Sequence, residues 1–171
     1  VLFRSLPEGV RVIFYPKDTQ GRKIDTYLPA KGGEMKVPPG HYLAVIYNYD
    51  TEVVQVKGED SYETIMACTG NCTGLGDSET ENMVWGPDNF YVATLDDVEI
   101  GKGEELPTLE VRPKSVVTTY IFSIKTEGLK NVSSIIGSVS GMAECYHLGK
   151  GAGLCRFVPI YCETGKGNGV I

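Results

Sequence analysis

GGEMKVPPGHYLAVIYNYDTEVVQVK, residues 32–57, holds three strand-like runs separated by turn signals. Gly32-Gly33 and Pro38-Pro39-Gly40 punctuate runs at 34–37, 41–49 and 52–56. In the middle run Tyr42, Ala44 and Ile46 point one way, while Leu43, Val45, Tyr47 and Tyr49 point the other. A strand apolar on both faces is covered on both faces, which places 41–49 near the centre of a packed β-structure. The stretch holds a β-core and no catalytic constellation. That combination points to a structural or adhesive protein rather than an enzyme.

Outward from this stretch the same signals recur. GVRVIFY at 9–15 sets Val10, Val12 and Phe14 against Arg11, Ile13 and Tyr15, and stops at Pro16. A second short run, 24–28, is closed by Pro29. Residues 62–68 read as strand, although Glu63 and Met66 also suit a helical turn. Residues 69–82, rich in Gly, Thr, Ser, Asp and Glu, read as a long surface loop. Two further strands are expected at 90–94 and 97–100, and a long one at 116–125. Residues 132–144 pass through Gly137 and Gly141, which predicts a bulged strand. GKGAG at 149–153 reads as a hairpin loop between 144–148 and 154–161. No segment keeps a 3.6-residue period with caps, so helix content is expected to be low.

GKGEELP at 101–107 is the best linker. It divides the chain into an N-terminal β-sandwich domain, 1–106, and the start of a second, 107–171. The second part supplies too few strands to close a sandwich, so it is expected to be incomplete. The alternative is one sheet system shared by both halves.

The 171 residues can bury a core without metal or disulfide, since a chain of this size buries roughly 68–70% of its unfolded surface. A net charge of -6, with scattered Lys and Arg, excludes nucleic acid as a partner. No apolar run reaches the roughly 18–20 residues that span a bilayer. The chain starts at Val1, so a signal peptide or lipid-attachment cysteine is expected to have been removed or left out. Five cysteines leave at least one unpaired if all pairing is internal. Cys68 and Cys72 can close a small turn as a disulfide, whereas Cys145, Cys155 and Cys162 read as small buried hydrophobes.

Several reactive readings fail on geometry. Cys145-Tyr146-His147 sets a thiol and an imidazole on one strand face, but adjacent strand residues rarely aim at one reacting atom. A packed thiol beside a surface histidine is expected instead. Asp77, Glu79 and Glu81, with Asp88 beyond, resemble a calcium loop, yet Asn82 stands where that loop needs glycine. One CxxxC and two distant histidines, His41 and His147, do not make a zinc site. The glycines of GKGAG precede a strand rather than a phosphate-binding helix. Asn71-Cys72-Thr73 and Asn131-Val132-Ser133 match glycosylation sequons and read as loop residues. No catalytic, cofactor-binding or metal site is expected. Among the ten tyrosines and one tryptophan, Trp85, Phe90 and Tyr91 after the acidic loop are the expected ligand contact, with glycans as ligand.

EGVRVIFYPKD (8–18), LPAKGGEMKVPPGHYLAVIYNYDTEVVQVKG (28–58), VVTTYIFSIKTEGLKNV (116–132) and VSGMAECYHLGKG (139–151) follow one another in an order that resembles the fimbrillin-type proteins of Bacteroidetes. These are the subunits, tips and anchors of type V pili, and the likeness is to an anchor or accessory subunit. GGxxxxPPGxYxxxxYNxxTE is its sharpest part. The resemblance implies an all-β protein of Greek-key, transthyretin-like β-sandwich domains, exported to the cell surface and held at the outer membrane by a lipid that this chain lacks. It implies other pilus subunits as partners, joined by strand complementation, with no enzymatic activity and no cofactor. The chain departs from the family in stopping soon after a second domain begins and in its number of cysteines. A surface carbohydrate-binding β-sandwich module is the alternative function.

Overall fold

The structure, a computed structural model, describes residues 7–18, 21–72, 83–103, 107–122, 125, 127, 128, 130, 136–153 and 156–163. The chain is all-β, and no α-helix occurs among the described residues. Its strands are β1 (Gly9–Pro16), β2 (Ile24–Pro29), β3 (Gly40–Asn48), β4 (Val54–Lys57), β5 (Met66–Thr69), β6 (Val84–Trp85), β7 (Tyr91–Ile100), β8 (Lys114–Ser115), β9 (Ile136–Ala143), β10 (Cys145–His147), β11 (Ala152–Gly153) and β12 (Phe157–Glu163). They form a five-stranded sheet in the order β2-β1-β3-β7-β8, a four-stranded sheet β11-β10-β5-β4, and a three-stranded sheet β6-β12-β9.

β3 is the central strand of the large sheet, as its two apolar faces require. Ile13, Tyr15, Val45, Tyr47, Phe90 and Val92 turn inward onto Val54, Ile65, Ala67 and Leu148, forming the core against the four-stranded sheet. Val12, Phe14, Tyr42, Ala44, Ile46 and Val98 make up the opposite face. Register explains the grouping, because Phe14 stands opposite Ala44, and Ala44 opposite Leu95. That outer face is packed by Met35, Val37 and Val111. The run at 34–37, expected to pair as a strand, is therefore extended without pairing, its apolar side chains used as a cover.

β7 is one strand where two were expected. Tyr42 pairs with Val98 and Ala44 with Leu95, so Asp96 and Asp97 together oppose Leu43 as a β-bulge. The bulge falls where the apolar pattern breaks. The bend expected around Gly141 is present too. Val158 pairs with Met142 and Ile160 with Val139, and Gly141 takes a φ of 83° in the extra position. Of the run expected at 62–68, only β5 is strand, and Thr64 and Ile65 both donate amides to the Ser61 carbonyl in a turn. Of the long strand expected at 116–125, the described residues 116–122 are not strand: β8 ends at Ser115, and Tyr120, Ile121 and Phe122 are exposed.

The disulfide joins Cys68 to Cys145, not to Cys72. Cys68 and Cys145 are direct partners in the β5–β10 register, with Cα atoms 4.3 Å apart. Cys72 is a buried free thiol, and Cys162 a half-buried one. Pairings also cross the boundary expected at 106/107: β7 with β8, β5 with β10, and β6 with β12.

Candidate functional site

Two surfaces of the large sheet stand out, an open strand edge and an aromatic cleft. β7 bonds to β3 along its length on one side. On the other side β8 pairs only with Tyr91 and Val92, and the Val116 amide extends this by one bond to the Phe90 carbonyl, 3.0 Å. Among the described residues nothing pairs with the outer edge of 93–100. An unpaired edge is a template for another chain's backbone unless charge or distortion blunts it. Here the Asp96–Asp97 bulge and the Lys17–Asp97 ion pair, 2.6 Å, lie in mid-strand and leave the edge open on both sides of them.

The cleft sits at the β2 side of the same sheet. Arg11 lies on the inward face of β1, with Ile13 and Tyr15, so its charge needs partners. Its guanidinium donates to Asp25 on β2, 2.6 Å, to the Tyr47 hydroxyl, 3.3 Å, and to Glu59 in the turn after β4. The Tyr47 hydroxyl donates to Glu59 at 2.7 Å, and the Tyr15 hydroxyl to the Glu59 carbonyl at 2.9 Å. Arg11 Nε is the one buried side-chain N or O among the described residues without a partner. Burial pushes the Arg11 pKa down, but the hydrogen bond to Asp25 and the charges of Tyr47 and Glu59 outweigh it, and the net shift is upward. The hydrogen bond from Arg11 holds Asp25 below the ordinary carboxylate value. Burial, reinforced by Glu59, raises the Tyr15 and Tyr47 phenols. Arg11, Tyr47 and Glu59 line an open cleft of about 220 Å³. Tyr27 and Tyr49 wall it, ring centroids 4.9 Å apart and nearly perpendicular, with the guanidinium 5.2 Å from the Tyr27 centroid.

The residues expected to touch a ligand are not brought together. Phe90 is 1% exposed and packs on Tyr47, ring centroids 5.8 Å apart. Tyr91 is half-buried, and its amide donates to Asn48 Oδ1 at 2.7 Å. Trp85 is 39% exposed, stands edge-to-face with Tyr161, and borders a separate cleft with Glu52, Gln55 and Asn71.

The other candidates resolve into structure. Cys145 is oxidised, and His147, expected at the surface, is buried. His147 Nδ1 accepts the Lys150 amide at 3.1 Å, which leaves Nε2–H to donate to the Glu63 carbonyl at 2.8 Å. Asp88 accepts the amides of Glu52, Val53 and Val54 and so ties down the turn before β4. Asp77, Glu79 and Glu81 lie outside the described residues. No cluster of three metal-ligating side chains occurs among the described residues. Sequence reading passed over Arg11 and Glu59. The available signal was an arginine on the face of β1 that carries Ile13 and Tyr15, since an inward charge in a strand is rarely left alone.

Comparison with known proteins agrees with the likeness read from the sequence. The chain is 54% identical over 164 residues to a Bacteroides ovatus protein named "Putative fimbrium anchoring subunit Fim4B", covering 96% of this chain and 49% of that protein. It therefore spans about half the length of that relative. The crystal structure of a "putative adhesin" from Bacteroides ovatus superposes with a TM-score of 0.88 at 52% identity, covering 99% of this chain and 60% of that one. The resemblance to fimbrillin-type proteins is borne out by these names. The family described as "Domain of unknown function (DUF5119)" matches residues 3–163, and the chain belongs to that family.

Proposed function

We propose that this chain is part of a fimbrial protein of the bacterial cell surface, an anchoring or accessory subunit that works by binding other subunits rather than by catalysis. The similarity to the named fimbrium anchoring subunit supports the setting. The single observation that carries the mode of action is the outer edge of β7, unpaired over 93–100 among the described residues. A neighbour's extended segment adds to such an edge through main-chain hydrogen bonds, with alternate side chains giving selectivity. The sheet is apolar on both faces, so an added strand gains cover on either side. The disulfide fits an oxidising, exported environment, and attachment to the outer membrane through a lipid belongs to the same proposal.

Amide hydrogen exchange, measured on the protein alone and mixed with fimbrial subunits from the same bacterium, tests strand addition. Protection gained along 93–100 is the expected result. Protection gained only elsewhere overturns addition at this edge.

A further inference from the structure

We infer that the open cleft beside the paired rings of Tyr27 and Tyr49 binds one neutral sugar ring of a surface glycan. The two rings are 57% and 45% exposed, a large apolar area to leave in water unless something covers it. Their placement is fixed in advance. A Cβ added at Gly9 would lie 2.7 Å from the Tyr49 hydroxyl and 2.8 Å from its ring, so Tyr49 occupies the space that a side chain at position 9 would fill. Tyr27 is held on its other flank by the Arg11 guanidinium. Rings already ordered cost little further entropy when a ligand arrives.

The polar groups set the class of ligand. In the cleft, Glu59 uses Oε1 for Arg11 and Tyr47. Its second oxygen has no hydrogen bond among the described residues, so it can accept from a hydroxyl. Arg11 and Glu59 are the charged side chains that line the cleft, and they pair with each other. A balanced site attracts neither an acidic sugar nor a cationic side chain by charge. Apolar ring faces beside a hydroxyl acceptor suit the C–H face and hydroxyl rim of a neutral pyranose. A cleft of about 220 Å³ is smaller than the roughly 300–1,000 Å³ of pockets for drug-sized ligands, and matches a single ring.

The residues that line this site come from β1, β2, β3, β4 and their turns and none from β7, so its existence does not depend on strand addition. Saturation-transfer NMR of the whole chain with methyl glycosides of neutral hexoses and N-acetylhexosamines tests it, with glucuronate and a lysine-rich peptide as controls. A neutral glycoside is expected to bind. Tyr27→Ala and Tyr49→Ala should each weaken it about tenfold, while Trp85→Ala leaves it unchanged. An unshifted thermal midpoint for Tyr27→Ala separates lost contact from lost fold. Absence of binding by every neutral glycoside, binding only by glucuronate or the peptide, or loss on Trp85→Ala with Tyr27→Ala unaffected overturns the assignment.

Discussion

Phe90 lies against Tyr47 in the interior between the two larger sheets, ring centroids 5.8 Å apart and tilted by 44°. Truncating it opens a cavity beside the ring of Tyr47, whose hydroxyl donates to Glu59. Phe90→Ala is therefore expected to cost about 3–5 kcal/mol of stability. Urea unfolding checks this, and a loss below ~1 kcal/mol would mean that Phe90 is not core.

Arg11 is the centre of the only inward-facing charge cluster described on β1. Arg11→Met removes the cation and leaves Glu59 and Asp25 facing each other without it. Breaking one side of a buried pair costs about 3–5 kcal/mol, and partial exposure here brings the expected loss to about 2–4 kcal/mol. The double variant Arg11→Met with Glu59→Leu should recover part of it, because only Asp25, the more exposed of the two carboxylates, is then left without its cation. A double-mutant cycle read by denaturant midpoints decides the point.

Reading the strands from sequence worked where local pattern and tertiary use agree. β1 and β3 alternate cleanly, β1 ends at Pro16 and β3 starts after Pro38-Pro39, and their two faces are the two hydrophobic clusters. It failed where a β-like run found no partner. Residues 34–37 and 116–122 have strand composition, but pairing is a property of neighbours, not of the run itself. The Cys68–Cys145 bond was illegible for the same reason, since it depends on the register of β10 against β5 across 77 residues. The aromatic cleft was hidden because Tyr27, Tyr49 and Arg11 meet only after β1, β2 and β3 align.

That bond also makes a prediction. Cys145→Ala, with Cys68→Ala to avoid a loose thiol, is expected to destabilise the protein by about 2–5 kcal/mol, given the long loop it closes. Peptide mapping without reductant should recover residues 68 and 145 on linked fragments. Recovery of a 68–72 link instead would contradict the register of β5 and β10.

Stability should fall at both ends of the pH scale. Asp25 and Asp50 titrate below the ordinary aspartate value of 3.8 in the folded protein: Arg11 lowers Asp25, while for Asp50 the Glu8 amide and Asn48 outweigh burial. Their contribution is present above about 3.8 and is lost as pH falls through the lower folded values. Tyr15 and Tyr47 titrate above the ordinary phenol value of 10.0, chiefly through burial. Their contribution is complete below 10.0 and disappears as pH climbs toward the raised folded values. Denaturant midpoints across the range test both arms, and Tyr47→Phe should flatten the alkaline one.

Gly58 sits at a φ of 68°, and a Cβ there would lie 2.2 Å from the Thr64 carbonyl oxygen. Gly58→Ala must therefore move backbone in the turn that delivers Glu59 to Arg11. An expected loss of about 1–3 kcal/mol follows from the left-handed conformation alone. The same variant should weaken the Arg11 cluster, visible as a changed Tyr47 chemical shift.

The crosslink between β5 and β10 also decides how the molecule yields to pulling. Tension applied between β1 and β12 passes through sulfur and bypasses the 77-residue span between the two cysteines. At ~3.3–3.6 Å per extended residue, that withholds roughly 250–280 Å of contour that the reduced chain would surrender. β6, β7, β8 and β9 all lie inside this covalent circuit. The open edge of β7 is thus sheltered from the line of force, and a hold made there does not have to unravel when the chain is stretched by flow.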